Sequence, residues 1–521
     1  MLSELRVPLK GPELMGSVAC WPNARLVPAQ AAPLPIASGP FKGTRGSLDA
    51  YQVPDWFRDA KFGIWSHWGP QSGVEDGDWF ARNMYIQGTP QYEYHLKTYG
   101  HPSKTGYKDL IPLFKGDKWD PDHLMDLYVK AGAKYFVSMG VHHDNYDMWN
   151  SKYQPRWNAT AVGPMRDIVG LYKQAARKRG LRFGVSEHLS NSFDWLAPAH
   201  TSDTTGPLAG VSYDGTDPMF ADLYHNYTQM PHDFAKTAKA MGRVAPDEWK
   251  LEYFNRIKDL IDQHQPDLLY TDGGIPFEEY GLATVAEVYN VSAGLHQGKV
   301  DAVYCSKTPG DCAVGTCIVD HERGVSDAIS TQSWQTDTCI GVWHYKRGQV
   351  YKTPKKVIDL LVDIVSKNGN LLLNFPLPNS GELDAEEMKV LEGITAWMKV
   401  NSEGIYSSRP WTIYGAGPST EVTVPQTGFN EGKQPPLTAQ DVRFTTKGKV
   451  LYAFVMGTPA NEVVIKALGT SSPQEPGKIL NVEMLGHQDK LHWKQDKQAL
   501  QVRVPSANMS DIGVTFKVTL A

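Results

Sequence analysis

Four short apolar runs in this chain end on residues that can do chemistry. Lys61-Phe62-Gly63-Ile64-Trp65-Ser66 runs into His67-Trp68-Gly69, and residues 135–141 run into His142-His143-Asp144. Residues 181–186 run into Glu187-His188, and 268–271 into Asp272-Gly273-Gly274. Taken singly, each has a bland reading: a His after a strand is commonly a satisfied loop residue, and Asp-Gly is commonly a turn. Four such endings together are harder to assign to coincidence. Imidazoles and carboxylates hydrogen-bond hydroxyl groups, and a Trp or Tyr face covers the C–H side of a sugar ring. Cleavage of a glycosidic bond would then take two carboxyls, one as acid/base and one as nucleophile or base. The rival reading is a metal centre, with His67, His142, His143 and a carboxylate as ligands for Zn²⁺ or Mn²⁺. Spacing leaves both open.

For these groups to share one mouth, several strands must end on the same side of a scaffold. From about 55 to 400, helix-period segments that stop at Gly, Asn or Pro alternate with short apolar runs. Asp120-Pro121 opens a helix carrying Leu124, Leu127 and Tyr128, and 166–179 carries Ile168, Leu171, Tyr172 and Ala175 on one face. Residues 248–264 carry Leu251, Phe254, Ile257 and Ile261. Thr353-Pro354, a good N-cap and first helical residue, opens 354–367. The alternation predicts an α/β fold, a (β/α)8-like TIM-type barrel with irregularities, whose functional groups lie at the C-terminal ends of its strands. The Gly- and Pro-rich stretch 196–247 predicts an insertion that lines or covers the site. A helix over 384–400, with Asp384 and Glu387 as a capping box, ends the barrel. After Pro410 the segments 449–456, 461–467, 478–485, 491–504 and 512–520 are short, β-branched and alternating, which predicts an antiparallel β-sandwich. The expected organisation is a leader or disordered segment over 1–45, the barrel over 46–405 and the sandwich over 406–521.

Composition removes other classes. The 521 residues carry 52 Lys and Arg against 57 Asp and Glu, a net charge of −5, which argues against a polyanion such as DNA as the main partner while leaving a local basic patch open. No run approaches the roughly 20 apolar residues of a membrane span, and no glycine-rich phosphate loop follows a strand. Of the five cysteines, Cys305, Cys312 and Cys317 lie close enough for one loop disulfide, and their spacing does not suit a zinc site. Ala29-Gln30-Ala31-Ala32 looks like a signal cleavage site, but the stretch before it lacks an apolar core. A periplasmic or secreted setting is the expectation. Four N-x-S/T sequons, at Asn158, Asn226, Asn290 and Asn508, matter only in a glycosylating host. Seven of the 15 Trp fall between Trp56 and Trp157, which suits core filling and sugar stacking equally.

Six blocks, taken in order, resemble the α-L-fucosidases of glycoside hydrolase family 29. They are Trp56-Phe57-Arg58-Asp59-Ala60-Lys61-Phe62-Gly63-Ile64 with Ser66-His67-Trp68-Gly69-Pro70; Asp78-Trp79-Phe80-Ala81-Arg82; and Gly132-Ala133-Lys134-Tyr135 with His142-His143-Asp144. Then come Trp149-Asn150-Ser151-Lys152-Tyr153, Pro266 through Gly273, and Leu361 through Asn374. The resemblance implies a barrel followed by a sandwich, and retaining hydrolysis of terminal α-L-fucosides with no metal or other cofactor. Carried over by position, Asp272 looks like the nucleophile. Glu322, placed by working backward from Trp334, looks like the acid/base, with Glu187 as runner-up. His67, His142 and His143 look like hydroxyl-binding histidines and Trp79 like a ring contact. His188, Tyr270, Trp334 and His344 are further candidates at the mouth. Trp56 and Trp65 read as barrel packing. Two departures bear on the sugar: the family usually has Glu where Asp78 stands, and Glu187-His188 replaces a tyrosine-containing stretch. They leave an α-L-galactoside, which differs by one hydroxyl, as the alternative substrate. A metal-dependent hydrolase and an inactive sugar-binding protein are the remaining alternatives. The expected partner is a fucosylated glycan, with homo-oligomerisation open.

Overall fold

The structure, a computed structural model, describes residues 33–227, 245–422, 429–505 and 510–521. The chain divides into a short N-terminal unit, 1–35, and one compact unit, 36–521. Phe41 N–H donates to Asn290 Oδ1 at 2.9 Å, and Asn290 Nδ2 returns bonds to the carbonyls of Ala37 and Phe41. The small-residue stretch 29–32 and Cys20 lie outside the described residues.

Eight parallel strands close a barrel in sequence order: β1 Phe62–Ser66, β2 Tyr135–Val141, β3 Arg182–Glu187, β4 Leu268–Thr271, β5 Val303–Ser306, β6 Ile318–Asp320, β7 Trp334–Cys339 and β8 Gly369–Asn374. Closure is the β8–β1 pairing, with Leu371 opposite Phe62. The principal outer helices are α1 Pro121–Lys130, α2 Ile168–Lys178, α3 Asp247–His264, α4 Glu279–Leu295, α5 Pro354–Ser366 and α6 Ala385–Asn401. Their starts are chemically specified. Asp120 accepts from His123 N–H, Asp167 from Gly170 N–H and Thr353 from Lys356 N–H, and Asp384 with Glu387 forms a reciprocal box.

The barrel interior is partly polar. Tyr135 O–H donates to Gln335 Oε1 at 2.9 Å, Gln335 Nε2 to Asp320 Oδ2 at 2.7 Å, and Tyr270 O–H to Asp337 Oδ2 at 2.9 Å. Two strands, β6 and β7, come from stretches without a readable apolar run, whereas Ala302-Val303-Tyr304-Cys305 gives β5 one comparable with that of β4. β6 has three residues, and β7 (Trp-Gln-Thr-Asp-Thr-Cys) is polar yet wholly buried because that network satisfies it.

Behind the barrel, β13 Ile479–Met484, β16 Val514–Leu520, β11 Val450–Val455, β10 Val442–Lys447 and β9 Arg409–Ala416 form a five-stranded antiparallel sheet in that order. A three-stranded sheet, β12 Glu462–Ile465, β15 Leu500–Arg503 and β14 Trp493–Gln495, contributes to the same core around Phe444, Leu451, Leu500 and Phe516. The expected strand at 491–504 is thus two, and β9 and β10 add to the list read from sequence. At the junction Asp363 of α5 takes Arg443 Nε of β10 at 2.6 Å and Lys367 Nζ at 2.7 Å, with all three side chains almost wholly buried. The loop after β5 carries one disulfide, Cys312–Cys317, while Cys305 and Cys339 are buried thiols. Asn158 and Asn290 are buried and hydrogen-bonded, so neither sequon presents an acceptor; Asn226 is exposed and Asn508 lies outside the described residues.

Candidate active site

A pocket of about 580 Å³ opens at the C-terminal ends of the strands. Each strand from β1 to β7 is followed by a residue that lines it: His67 after β1, His142 and His143 after β2, His188 after β3, Asp272 after β4, Lys307 after β5, Glu322 after β6 and Trp343 after β7. Strand alternation would send consecutive residues to opposite faces. His142 and His143 both reach the pocket because they lie past β2, beyond a register shift between Met139 and Val141. The loop after β1 adds Asp78 and Trp79, the latter at φ +62° where it caps the short helix Phe80–Asn83.

One wall is imidazole. The His67 backbone N–H donates to Asn374 Oδ1 at 2.8 Å, while both ring nitrogens are buried without a partner among the described residues. Gln71 Nε2 donates to His142 Nδ1 at 3.0 Å, which leaves the other ring nitrogen of His142 carrying the proton. His143 Nδ1 donates to the His188 carbonyl at 2.8 Å. Burial, reinforced by the neighbouring imidazoles, holds His67 and His142 well below the ordinary imidazole range, and burial brings His188 down to about 4. These rings are neutral donors and acceptors, the form that suits hydroxyls. Asp78 Oδ1 accepts from His344 Nδ1 at 2.8 Å.

The opposite wall is charged. Asp272 Oδ2 lies 3.2 Å from both His143 Nε2 and His188 Nδ1, and its Oδ1 lies 2.6 Å from Lys307 Nζ. The same ammonium reaches Glu322 Oε2 at 2.5 Å. The two arms add to about 5.1 Å, which caps the separation of those carboxylate oxygens. Burial alone would raise the Asp272 carboxyl, but Lys307, His188 and His143 outweigh it and hold the group well below the usual carboxylate range. Glu322 moves the other way. Burial raises it, with Asp337 and Asp272 adding to the rise and Lys307 opposing it. The two carboxyls are 20% and 21% exposed, so both remain open to a ligand. Environments that push two neighbouring carboxyls apart in this manner suit one to be ionised and the other to carry a proton.

The α-L-fucosidase family model matches residues 29–403, and the α-L-fucosidase C-terminal domain model matches 434–521. The chain belongs to the α-L-fucosidase family. It is a glycoside hydrolase that releases α-L-fucose. Rat tissue α-L-fucosidase is 27% identical over 462 residues, covering 86% of this chain and 85% of the rat protein. Human tissue α-L-fucosidase is 27% identical over 490 residues, covering 91% and 90%. The Thermotoga maritima α-fucosidase solved with fucose superposes with a TM-score of 0.68 at 24% identity, covering 92% of this chain and all of that one. A Bacteroides thetaiotaomicron α-L-fucosidase reaches 0.60 at 18% identity, covering 93% and 98%. Both share the barrel and C-terminal sheets.

Within this fucosidase the structure sorts the residues singled out from sequence. His67, Asp78, Trp79, His142, His143, His188, Tyr270, Asp272 and Glu322 all line the pocket. Three do not. Glu187 is wholly buried behind Asp272. Its Oε1 accepts from Tyr253 O–H and Thr271 O–H, its Oε2 from Leu189 N–H, and its carbonyl from Asp272 N–H at 3.0 Å. Burial takes its carboxyl up to about 7, yet it reaches no ligand, and it positions the strand end that carries Asp272. Trp334 begins β7, at the end of the strand remote from the pocket, and its indole N–H donates to the Lys367 carbonyl at 2.9 Å. His344 stands behind the pocket as the partner of Asp78, in edge contact with His67 and His142. Trp65, read as packing, is nearly inaccessible yet forms part of the pocket floor, against His67, His188 and Trp343. Lys307 and Trp343 went unread because β5 and β7 did. Had those strands been read, the rule that found His67 and Asp272 would have reached Lys307. The ligating atoms of His67, Asp78, His142 and His344 lie within 4.8 Å of one another, so this cluster has the donors for a transition metal as well as for hydroxyls.

Proposed function

We propose that this enzyme cleaves terminal α-L-fucosides with retention, by double displacement. The observation that carries the reading is the shared ammonium. Facing oxygens no more than about 5.1 Å apart fall short of the roughly 6.5–9.5 Å that seats a water for inversion, which favours the closer carboxyl spacing, roughly 5–5.5 Å, of retaining glycosidases. Ionised Asp272 attacks the anomeric carbon, and the glycosidic bond breaks as its oxygen takes the proton of Glu322. Glu322 then removes a proton from water, which attacks the same carbon and expels Asp272. The substrate must displace Lys307 from between the carboxyls. The ammonium then remains near Asp272 and keeps it ionised. Neutral His67, His142 and His188, together with His143 and Asp78, hold the sugar hydroxyls, and Trp79 covers an apolar ring face. Tyr270 is fully buried, its hydroxyl committed to Asp337 and its ring packed against Trp65 and His188, so it supports the pocket from beneath.

Following the anomer of the released sugar by proton NMR tests retention. The α-anomer should appear first and mutarotate later; first appearance of the β-anomer would overturn the reading. The same assay on α-L-galactosides tests the substrate, because Asp78 is one methylene shorter than the Glu usual in the family. A periplasmic or secreted setting is part of the proposal, and the Cys312–Cys317 disulfide supports it, since such bonds persist in oxidising compartments.

A further inference from the structure

A second cleft, of about 650 Å³, adjoins the catalytic pocket, and Lys307, Glu322 and Phe429 line both. None of the pocket histidines lines it; its walls come from β6, the loop 321–333 and the start of β7. Val325, Ile329 and Trp334 give it apolar faces, while Ser330, Gln332 and Ser333 give it polar ones. That mixture is what a pyranose requires, with hydroxyls around its edge and C–H groups on its faces.

Phe429 is the unusual feature at the junction. It comes from beyond the barrel, ahead of β10, is 60% exposed, and holds φ at +60°, a conformation unfavourable for a bulky residue. Its segment is latched to the loop that carries the acid/base. Phe429 N–H donates to the Glu322 carbonyl at 3.0 Å, and Glu431 N–H donates to the Arg323 carbonyl at 2.9 Å. Asn430 Oδ1 accepts from Val325 N–H at 2.8 Å, and its Nδ2 donates to the Val325 carbonyl at 3.1 Å. An exposed aromatic ring is thus fixed beside the one carboxyl that faces the leaving group.

We propose that this cleft is the aglycone subsite: it receives the sugar to which the fucose is attached, and Phe429 is the platform on which that sugar stacks. The inference rests on Glu322 as acid/base. The leaving oxygen must sit at that carboxyl, and the cleft is the space that continues from it.

Two substrates with the same fucosyl group separate the subsites. α-L-Fucosyl fluoride has no aglycone sugar and needs no protonation. The second is whichever fucosylated disaccharide the wild type hydrolyses fastest in a panel of linkage isomers. Ala328, exposed on the cleft wall and absent from the catalytic pocket, gives a blocking variant, Ala328→Trp. It should leave turnover of the fluoride unchanged and lower kcat/KM on the disaccharide by about tenfold or more. Phe429→Ala should cost about tenfold more on the disaccharide than on the fluoride, the upper end of what an aromatic contact supplies. Equal losses on both substrates, or full activity of both variants on the disaccharide, would overturn the proposal. Glu322→Ala is measured alongside. If it lowers kcat/KM, which reports the first chemical step, on the fluoride as much as on the disaccharide, the acid/base reading fails, and that outcome is distinct from failure of the other two variants.

Discussion

Replacing Lys307 by Met removes the cation that bridges Asp272 and Glu322, the carboxyls proposed as nucleophile and acid/base, and the consequence can be worked out with its sign. Unit charges 2.6 Å apart interact by about 6 kcal/mol at an effective dielectric of about 20, which bounds the effect on Asp272. Water entering the space left by the ammonium reduces this to the roughly 1–3 pK units that one close opposite charge commonly produces. Lys307 lowers both carboxyls, so removing it raises both. Asp272 must be ionised to attack, so the acidic limb of the pH profile moves upward. Glu322 must be protonated to act, so the basic limb moves upward too. The whole bell shifts to higher pH by about 1–3 units, and an acidic limb enters the working range because Asp272 loses its strong depression. The profile of kcat/KM reports the free enzyme, where the bridge exists. Methyl α-L-fucoside, whose leaving group needs the acid, is the substrate, with released fucose measured between about pH 3 and 9. A lower rate with both limbs in place would mean that Lys307 only fills space. Limbs moving in opposite directions would refute the electrostatic reasoning.

Other consequences follow from the same geometry. Glu322→Ala should slow fucosyl saccharides by about 10²–10⁴-fold. In kcat/KM, which reports glycosylation, nitrophenyl fucosides need little protonation and should lose much less; equal losses in kcat/KM would remove Glu322 as the acid. Arg443→Met leaves Asp363 buried with only Lys367 and should cost about 3–5 kcal/mol in urea unfolding at neutral pH. Burial opposes ionisation of Asp363, but Lys367 and Arg443 outweigh it and hold the carboxyl low. Its contribution is therefore present above the unfolded value near 3.9 and is lost as pH falls through its depressed folded value, so the gap between wild type and variant should narrow only below about pH 4. Dialysis against EDTA should leave activity intact, since every proposed step uses side chains; loss restored by Zn²⁺ would return the histidine cluster to a metal role.

The sequence and the structure agree where the physics is local. Asp120, Thr353 and the Asp384/Glu387 pair cap helices as read, because an N-cap is a contact over three or four residues. β1 to β4 were visible as apolar runs, and the polar residues that end them converge. What was hidden depended on long-range satisfaction. β7 is polar and buried only because Gln335 and Asp337 find partners on other strands, Asp320 on β6 and Tyr270 on β4. α4 is buried almost all round and shows no single apolar stripe, so β5 behind it and Lys307 went unread. Glu187 has a site-like address and faces the wrong way, because a residue at a strand end can point into the packing shell as readily as into the mouth. The anchoring of Phe429 beside Glu322 joins residues about a hundred positions apart, and no local pattern announces it.

Asp272 is proposed to form the covalent bond to the sugar. A 2-deoxy-2-fluoro-α-L-fucosyl fluoride combines a good leaving group with a ring that turns over slowly, so the glycosyl-enzyme should accumulate. Peptide mass spectrometry of the trapped protein should find one fluorofucosyl group, on Asp272, with the label absent from Asp272→Ala. A label on Glu322 or Glu187, or inactivation of Asp272→Ala at the wild-type rate, would contradict the account.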